Sequence, residues 1–282
     1  MQNTGKRSNW FSAAFSVSES GRNPIDPQRL KDANWTLSEV MEMELEKTAE
    51  CLQIIEAVGA AVEATLQSRG LPGIGLLPEQ VHILSRTDGS LEITGGGPAV
   101  SYAGEIYLIE QETAAKTLFI MAHEATHLMA YTTLAIDAEN GEAYMERSGF
   151  SFADRKKGTK FSVLNEAITE KLATEVRQRT AEALNLDPKK AFQGMSVELA
   201  SQQLVLAVCR SLVKEGIEKR EINLALDRDY LSGSHDFLNI LWAKCPETAK
   251  LIAGLDRHPE DIADAADSLG FSLLAEAIRE IQ

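Results

Sequence analysis

The stretch Thr113 to Thr133, TAAKTLFIMAHEATHLMAYTT, decides how the chain is read. Its residues favour helix and include neither Gly nor Pro, so a helix over this range is expected. At about 3.6 residues per turn, the two histidines of His123-Glu124-Ala125-Thr126-His127 fall one turn apart on one face, and both imidazoles reach a single metal ion. Zinc suits imidazole, and a catalytic zinc takes three protein ligands and leaves one position to water or substrate. Glu124 then stands as general base toward that water, whose pKa the metal brings to roughly 7. Leu118, Phe119, Ile120, Met121, Ala122, Ala125, Leu128 and Met129 make the helix apolar nearly all round, which predicts a buried element. A buried helix with two His and one Glu needs a third ligand to make chemical sense.

Glu166 supplies one. Val163, Leu164, Ala167, Ile168, Leu172 and Val176 form an apolar stripe that predicts a second helix, on which Glu166 and Glu170 stand one turn apart. Taken without the histidines, the paired carboxylates read as a solvated face. With the histidines, Glu166 completes a three-ligand set for one Zn²⁺ ion, and Glu170 is placed to accept the N–H of a ligand imidazole and fix its tautomer.

Together these motifs resemble the gluzincin metallopeptidases, which combine His-Glu-x-x-His with a Glu ligand on a later helix. Thermolysin-like members carry Asn-Glu-x-x-Ser-Asp there, and this chain has Asn165-Glu166-Ala167-Ile168-Thr169-Glu170, with Thr for Ser and Glu for Asp. The step from His127 to Glu166 is longer than in thermolysin-like enzymes, so the chain looks more like the compact, minimal gluzincins. The resemblance covers roughly Gly104 to Val176. It implies an α+β, zincin-like fold: a small mixed sheet packed on the active-site helix, followed by a mainly helical C-terminal subdomain. It further implies a zinc metalloendopeptidase, a hydrolase in which His123, His127 and Glu166 hold the metal, Glu124 is the catalytic base, and Asn165 and Glu170 support the ligands from behind.

The rest of the chain bounds that reading. Its 282 residues, 44% of them hydrophobic, suffice for one large domain or two small ones. With 42 acidic against 28 basic residues and a net charge of −14, no nucleic-acid partner is expected. Cys51, Cys209 and Cys245 are odd in number and far apart, which argues against a disulfide framework or a Cys-type zinc site. Neither a membrane-length apolar run nor the apolar core of a secretory signal is evident, so no membrane partner and a cytoplasmic location are the default expectations.

Residues 1–34 are polar, lack a sustained period and read as a flexible N-terminal arm. Thr36-Leu37-Ser38-Glu39 leads into a helix expected to last to about Gln67, and residues 70–75, rich in Gly, end it. Val81-His82-Ile83-Leu84 is a short strand in which His82 reads as half-exposed; residues 95–98 form a turn. Gly104 to Glu110 is a further strand, which the resemblance makes the sheet edge that pairs with extended substrate, against the alternative of an interior strand. Tyr144 to Lys160, with Arg155-Lys156-Lys157, reads as a solvated loop that also has the option of lining the cleft. Helices are expected over Leu199–Val213, Asp236–Trp242, Pro246–Leu255 and Asp261–Glu280, with breaks at Asp187-Pro188 and His258-Pro259. The resulting division is 1–34, a catalytic region over 35–182, and a helical subdomain over 183–282. Tyr230, His235 and Tyr144 are candidates for a donor to a tetrahedral oxyanion. The function expected is peptide-bond hydrolysis in a peptide or protein substrate; the alternative is a catalytically silent or self-inhibited zinc-binding regulatory protein.

Overall fold

The computed structural model describes residues 12–18, 21–25, 40, 42–154, 158–186, 197–255 and 258–279. Its strands are β1 (Ala13–Ser18), β2 (Gly21–Ile25), β3 (Val81–Leu84), β4 (Ala99–Tyr102), β5 (Glu105–Ile109), β6 (Thr132–Asp137), β7 (Ala143–Ser148), β8 (Ser151–Asp154) and β9 (Gly158–Lys160). Its helices are α1 (Ala49–Gln67), α2 (Asp88–Ile93), α3 (Ala114–Met129), α4 (Ser162–Ala183), α5 (Val197–Lys214), α6 (Lys219–Ser232), α7 (Asp236–Lys244), α8 (Pro246–Ala253), α9 (Pro259–Ser268) and α10 (Ser272–Arg279). The fold is thus mixed α+β, with more helix than strand. The chain forms two compact units that interleave along the sequence: Met1–Ser12, Ile25–Met129 and Leu172–Gln193 make one, and Ala13–Pro24, Ala130–Lys171 and Gly194–Gln282 the other.

In the first unit β5 pairs in parallel with β3 and antiparallel with β4, giving a three-stranded mixed sheet in the order β3-β5-β4. Helix α3 packs on β4 and β5 and against α1. Ile55, Val58, Ile106, Leu108, Leu118 and Met121 are all buried, and Leu84 joins Val40 and Tyr107 in a separate core cluster. Helix α1 starts at Ala49, well after the Thr36-Leu37-Ser38-Glu39 signal, capped by Thr48, whose Oγ1 accepts from Cys51 N at 3.2 Å. The preceding residues are held extended instead: Leu45 N donates to Ile83 O (2.7 Å) and Ser85 N to Met43 O (2.9 Å), which ties this segment to β3. Of the two readings of Gly104 to Glu110, edge or interior strand, the interior one holds: β5 is central and β4 takes the outer position. His82 is a second correction, being 7% exposed rather than half-exposed. Its ring stacks on Tyr107 and lies 3.1 Å from Glu44 and 3.3 Å from Glu105, and those carboxylates make burial of an imidazole acceptable.

The second unit holds a six-stranded sheet ordered β2-β1-β6-β7-β8-β9, with β1 parallel to β6 and β6 through β9 antiparallel in sequence. Two expectations change here. The stretches Ala13–Ser18 and Gly21–Ile25, inside the segment read as an arm, are strands, because β6 lends β1 a ladder that no local period advertises. Tyr144 to Lys160 is a run of short antiparallel strands, not a loop; Arg155-Lys156-Lys157 lies outside the described residues. Helix α3 also stops short of Thr133, since Thr132 and Thr133 are β-branched and enter β6.

Helices α5 to α10 follow the expected apolar spacing, with two differences. Helix α6 over Lys219–Ser232 was absent from the sequence reading, and the single helix expected over Asp261–Glu280 is two, α9 and α10, broken at Gly270 with φ of +79°. Val163, Leu204, Ile262, Ala266, Ala275 and Ile278 form a core among them. Pro259 opens α9 at its first position, as the His258-Pro259 break requires; Asp187-Pro188 lies outside the described residues. All three cysteines are free, and among the described residues no helix is long and apolar enough to cross a membrane.

Candidate metal centre

Helix α3 buries Leu118, Phe119, Met121, Ala122, Ala125 and Met129 around a partly accessible strip that carries His123 and His127. Thr113 Oγ1 accepts from Lys116 N at 3.2 Å and starts the helix. The two imidazoles meet edge to face at 76° with centroids 4.9 Å apart, and their Nε2 atoms approach to 3.2 Å. Two imidazole nitrogens bound at about 2.0–2.1 Å to one tetrahedral ion stand roughly 3.3–3.4 Å apart, so the pair lies close enough for both to reach one metal ion.

The third member comes from α4. Its second half lies in the same compact unit as α3, where Arg177, 1% exposed, donates Nε to Phe119 O at 3.1 Å and lays its guanidinium 3.5 Å over the Phe119 ring. Glu175 is held by Arg69 at the end of α1, with Nη2 to Oε2 at 2.9 Å. His123, His127 and Glu166 each offer a ligand atom, and these atoms lie within 4.8 Å of one another. Two imidazoles and a carboxylate form the nitrogen and oxygen donor set that Zn²⁺ takes at open sites, so the residues present fit the metal. Glu124, between the histidines on the same helix, is 9% exposed, and Glu170 is 7% exposed.

The remaining expected residues fall in four places. Asn165, beside Glu166, has its Oδ1 on Phe150 N at 2.9 Å and so holds the β7–β8 connection. Tyr230 lies on α6 and is wholly buried, with its hydroxyl 2.8 Å from Thr169 Oγ1. His235 precedes α7 in a left-handed conformation with φ of +64°. Its Nε2 accepts from Arg147 Nη1 at 2.9 Å, which leaves any proton on Nδ1. Burial, and then the neighbouring Arg147 charge, hold this imidazole below its ordinary range, so His235 is a neutral partner of the arginine. Tyr144 sits half-buried on β7 opposite Ala135.

Arg147 itself escaped the sequence reading. It is 4% exposed, donates to the carbonyls of Gly149 (2.7 Å), Gly233 (3.2 Å) and Asp229 (3.0 Å), and stands 3.8 Å from Asp229 Oδ1. No spacing in the chain signals it, since its acceptors lie either two residues away or more than eighty. Two surface concavities, of about 580 Å³ beside Arg220, Leu224 and Asn239 and about 200 Å³ beside Cys51, Ile54 and Thr113, include none of the three ligand residues. Comparison with protein-family models, with curated proteins and with solved structures returns no match.

Proposed function

We propose that this chain is a zinc-dependent peptidase of gluzincin type, with a zincin-like catalytic region over residues 35–182, that hydrolyses peptide bonds by attack of water. The observation that carries the reading is the approach of His123, His127 and Glu166 to within 4.8 Å of one another, with the two Nε2 atoms 3.2 Å apart. A bound Zn²⁺ supplies Lewis acidity, acidifying water and stabilising the oxyanion. Glu124 accepts the proton of the attacking water and delivers it to the departing amine, so one carboxylate serves as base and then as acid. Glu170, one turn beyond Glu166, steadies the ligand helix from behind. An extended peptide adds to the outer edge of β4, whose main-chain groups on that side have no strand partner among the described residues. Such pairing binds backbone whatever the side chains, which suits a peptide substrate.

The zinc-binding regulatory protein keeps the ligands but gives Glu124 no task, and a carboxylate held 9% exposed between two ligands is costly to keep without one. Wild type and Glu124→Ala are to be compared for zinc content and for cleavage of an unfolded protein. Equal zinc with cleavage by wild type alone is the expected result. Equal zinc with no cleavage by either overturns catalysis and leaves the regulatory protein.

A further inference from the structure

The polar groups that flank Glu166 close into a ring of hydrogen bonds. Tyr131, two residues beyond the end of α3, donates its N–H to Tyr230 O (2.8 Å), and its carbonyl accepts from Gly149 N (2.9 Å). The next residue, Phe150, donates its N–H to Asn165 Oδ1 (2.9 Å). Asn165 O accepts from Thr169 Oγ1 (2.9 Å), and Thr169 Oγ1 lies 2.8 Å from Tyr230 Oη. Either hydroxyl can be the donor between Thr169 and Tyr230. Every bond of the ring lies within the second unit. Asn165 is 4% exposed, and Thr169 and Tyr230 are wholly buried.

Such a circuit asks for an explanation beyond packing. Apolar side chains of similar volume would fill this space without a desolvation cost, whereas a buried polar network is tolerable only when its members are paired, and then it specifies one geometry. Asn165 and Thr169 lie one turn apart on α4, immediately before and three residues after Glu166. Holding both fixes the height of that turn and its rotation about the helix axis. A ligand carboxylate has to sit within about 0.5 Å and 10–20° of its working geometry. We propose that Tyr230 and Thr169 are positioning residues for the metal centre: the Tyr230 hydroxyl, through Thr169 and the Asn165 anchor, sets Glu166 in register with His123 and His127. This rests on the zinc-site reading above.

The test uses the full chain, stripped of metal and titrated with Zn²⁺ against a chromogenic chelator, and with Co²⁺ for its visible spectrum. Tyr230→Phe and Thr169→Val each remove one hydroxyl at nearly constant shape. Both are expected to weaken zinc binding about tenfold, the lower end of what outer partners of a metal site contribute, and to shift the Co²⁺ bands. Thr169→Ser keeps the hydroxyl and is expected to bind like wild type. Val208→Ala, which trims a buried side chain of α5 outside the ring, is expected to lower the melting temperature and leave zinc affinity unchanged. If Tyr230→Phe and Thr169→Val bind zinc and Co²⁺ as wild type does, or if Val208→Ala weakens binding equally, positioning by the ring is overturned. If wild type binds no zinc, or Glu166→Ala binds it equally well, the zinc-site reading itself fails, and with it this proposal.

Discussion

At the scale of single residues, two positions carry predictions that do not involve the metal. Burial alone would push the His82 imidazole down, but the carboxylates of Glu105 and Glu44 on either side of it outweigh that and raise it above the ordinary histidine range. Glu44 is also paired with Lys47 at 2.8 Å, and Glu105 Oε2 accepts from Tyr107 Oη at 2.6 Å, so the charges around the ring are fixed. A pKa raised by folding means that the folded state binds the proton more tightly. The stabilisation is therefore fully present below about pH 6.5, the unfolded value, and is lost as pH rises through the higher folded value. Melting temperature is expected to fall between pH 6 and pH 8 in wild type and to fall less in His82→Gln; a parallel fall in both rejects the assignment. Gly149 is the other residue. Its φ is +56°, and a Cβ built there would stand 2.5 Å from Asn165 Oδ1 and 2.7 Å from the Tyr230 ring. Left-handed strain and overpacking together predict a loss of about 2–4 kcal/mol for Gly149→Ala, measured by urea unfolding.

At the scale of elements, legibility followed locality. Helices α3 and α4 were readable because helical spacing is set within one turn, and the placing of His123 and His127 on one face needs nothing from elsewhere in the chain. Strand β7 was not readable, since it inverts the usual pattern: its buried residue is Arg147, while Met145 is 42% exposed. A hydropathy reading finds no inward apolar face there, because the acceptors that make a buried guanidinium possible sit on the far end of α6. Likewise β1 is a strand only by virtue of β6, and the edge position of β4 depends on a strand order that short apolar runs do not encode. The same non-local bonding yields a prediction. Arg147→Met keeps the stem and removes the charge, leaving the carbonyls of Gly149, Asp229 and Gly233 without their donor and the buried Asp229 carboxylate without its cation. Loss of one partner from a buried pair predicts about 3–5 kcal/mol of destabilisation. Double substitution with Asp229→Asn is expected to cost less than the sum of the two single changes, which a cycle of unfolding measurements reads directly.

At the scale of the whole molecule, a net charge of −14 draws divalent cations to the surface wherever carboxylates crowd, so metal binding by itself says little about a built site. Chemistry separates the two cases. Carboxylate clusters favour hard cations such as Ca²⁺ and Mg²⁺, whereas two imidazoles with one carboxylate favour Zn²⁺. A metal that binds only the folded chain stabilises it by an amount set by its concentration over Kd, about 2.7 kcal/mol at a hundredfold excess, and a chain of this size converts that to roughly 5–8 °C in Tm. Chelator-treated protein is therefore expected to melt several degrees higher when Zn²⁺ is added, and His127→Ala, which removes one imidazole and no carboxylate, is expected to lose that rise. Mg²⁺ is expected to act alike on both proteins, because surface attraction does not depend on an imidazole. A Zn²⁺ rise of equal size in His127→Ala would assign the stabilisation to the acidic surface and remove the α3 histidines from any metal centre.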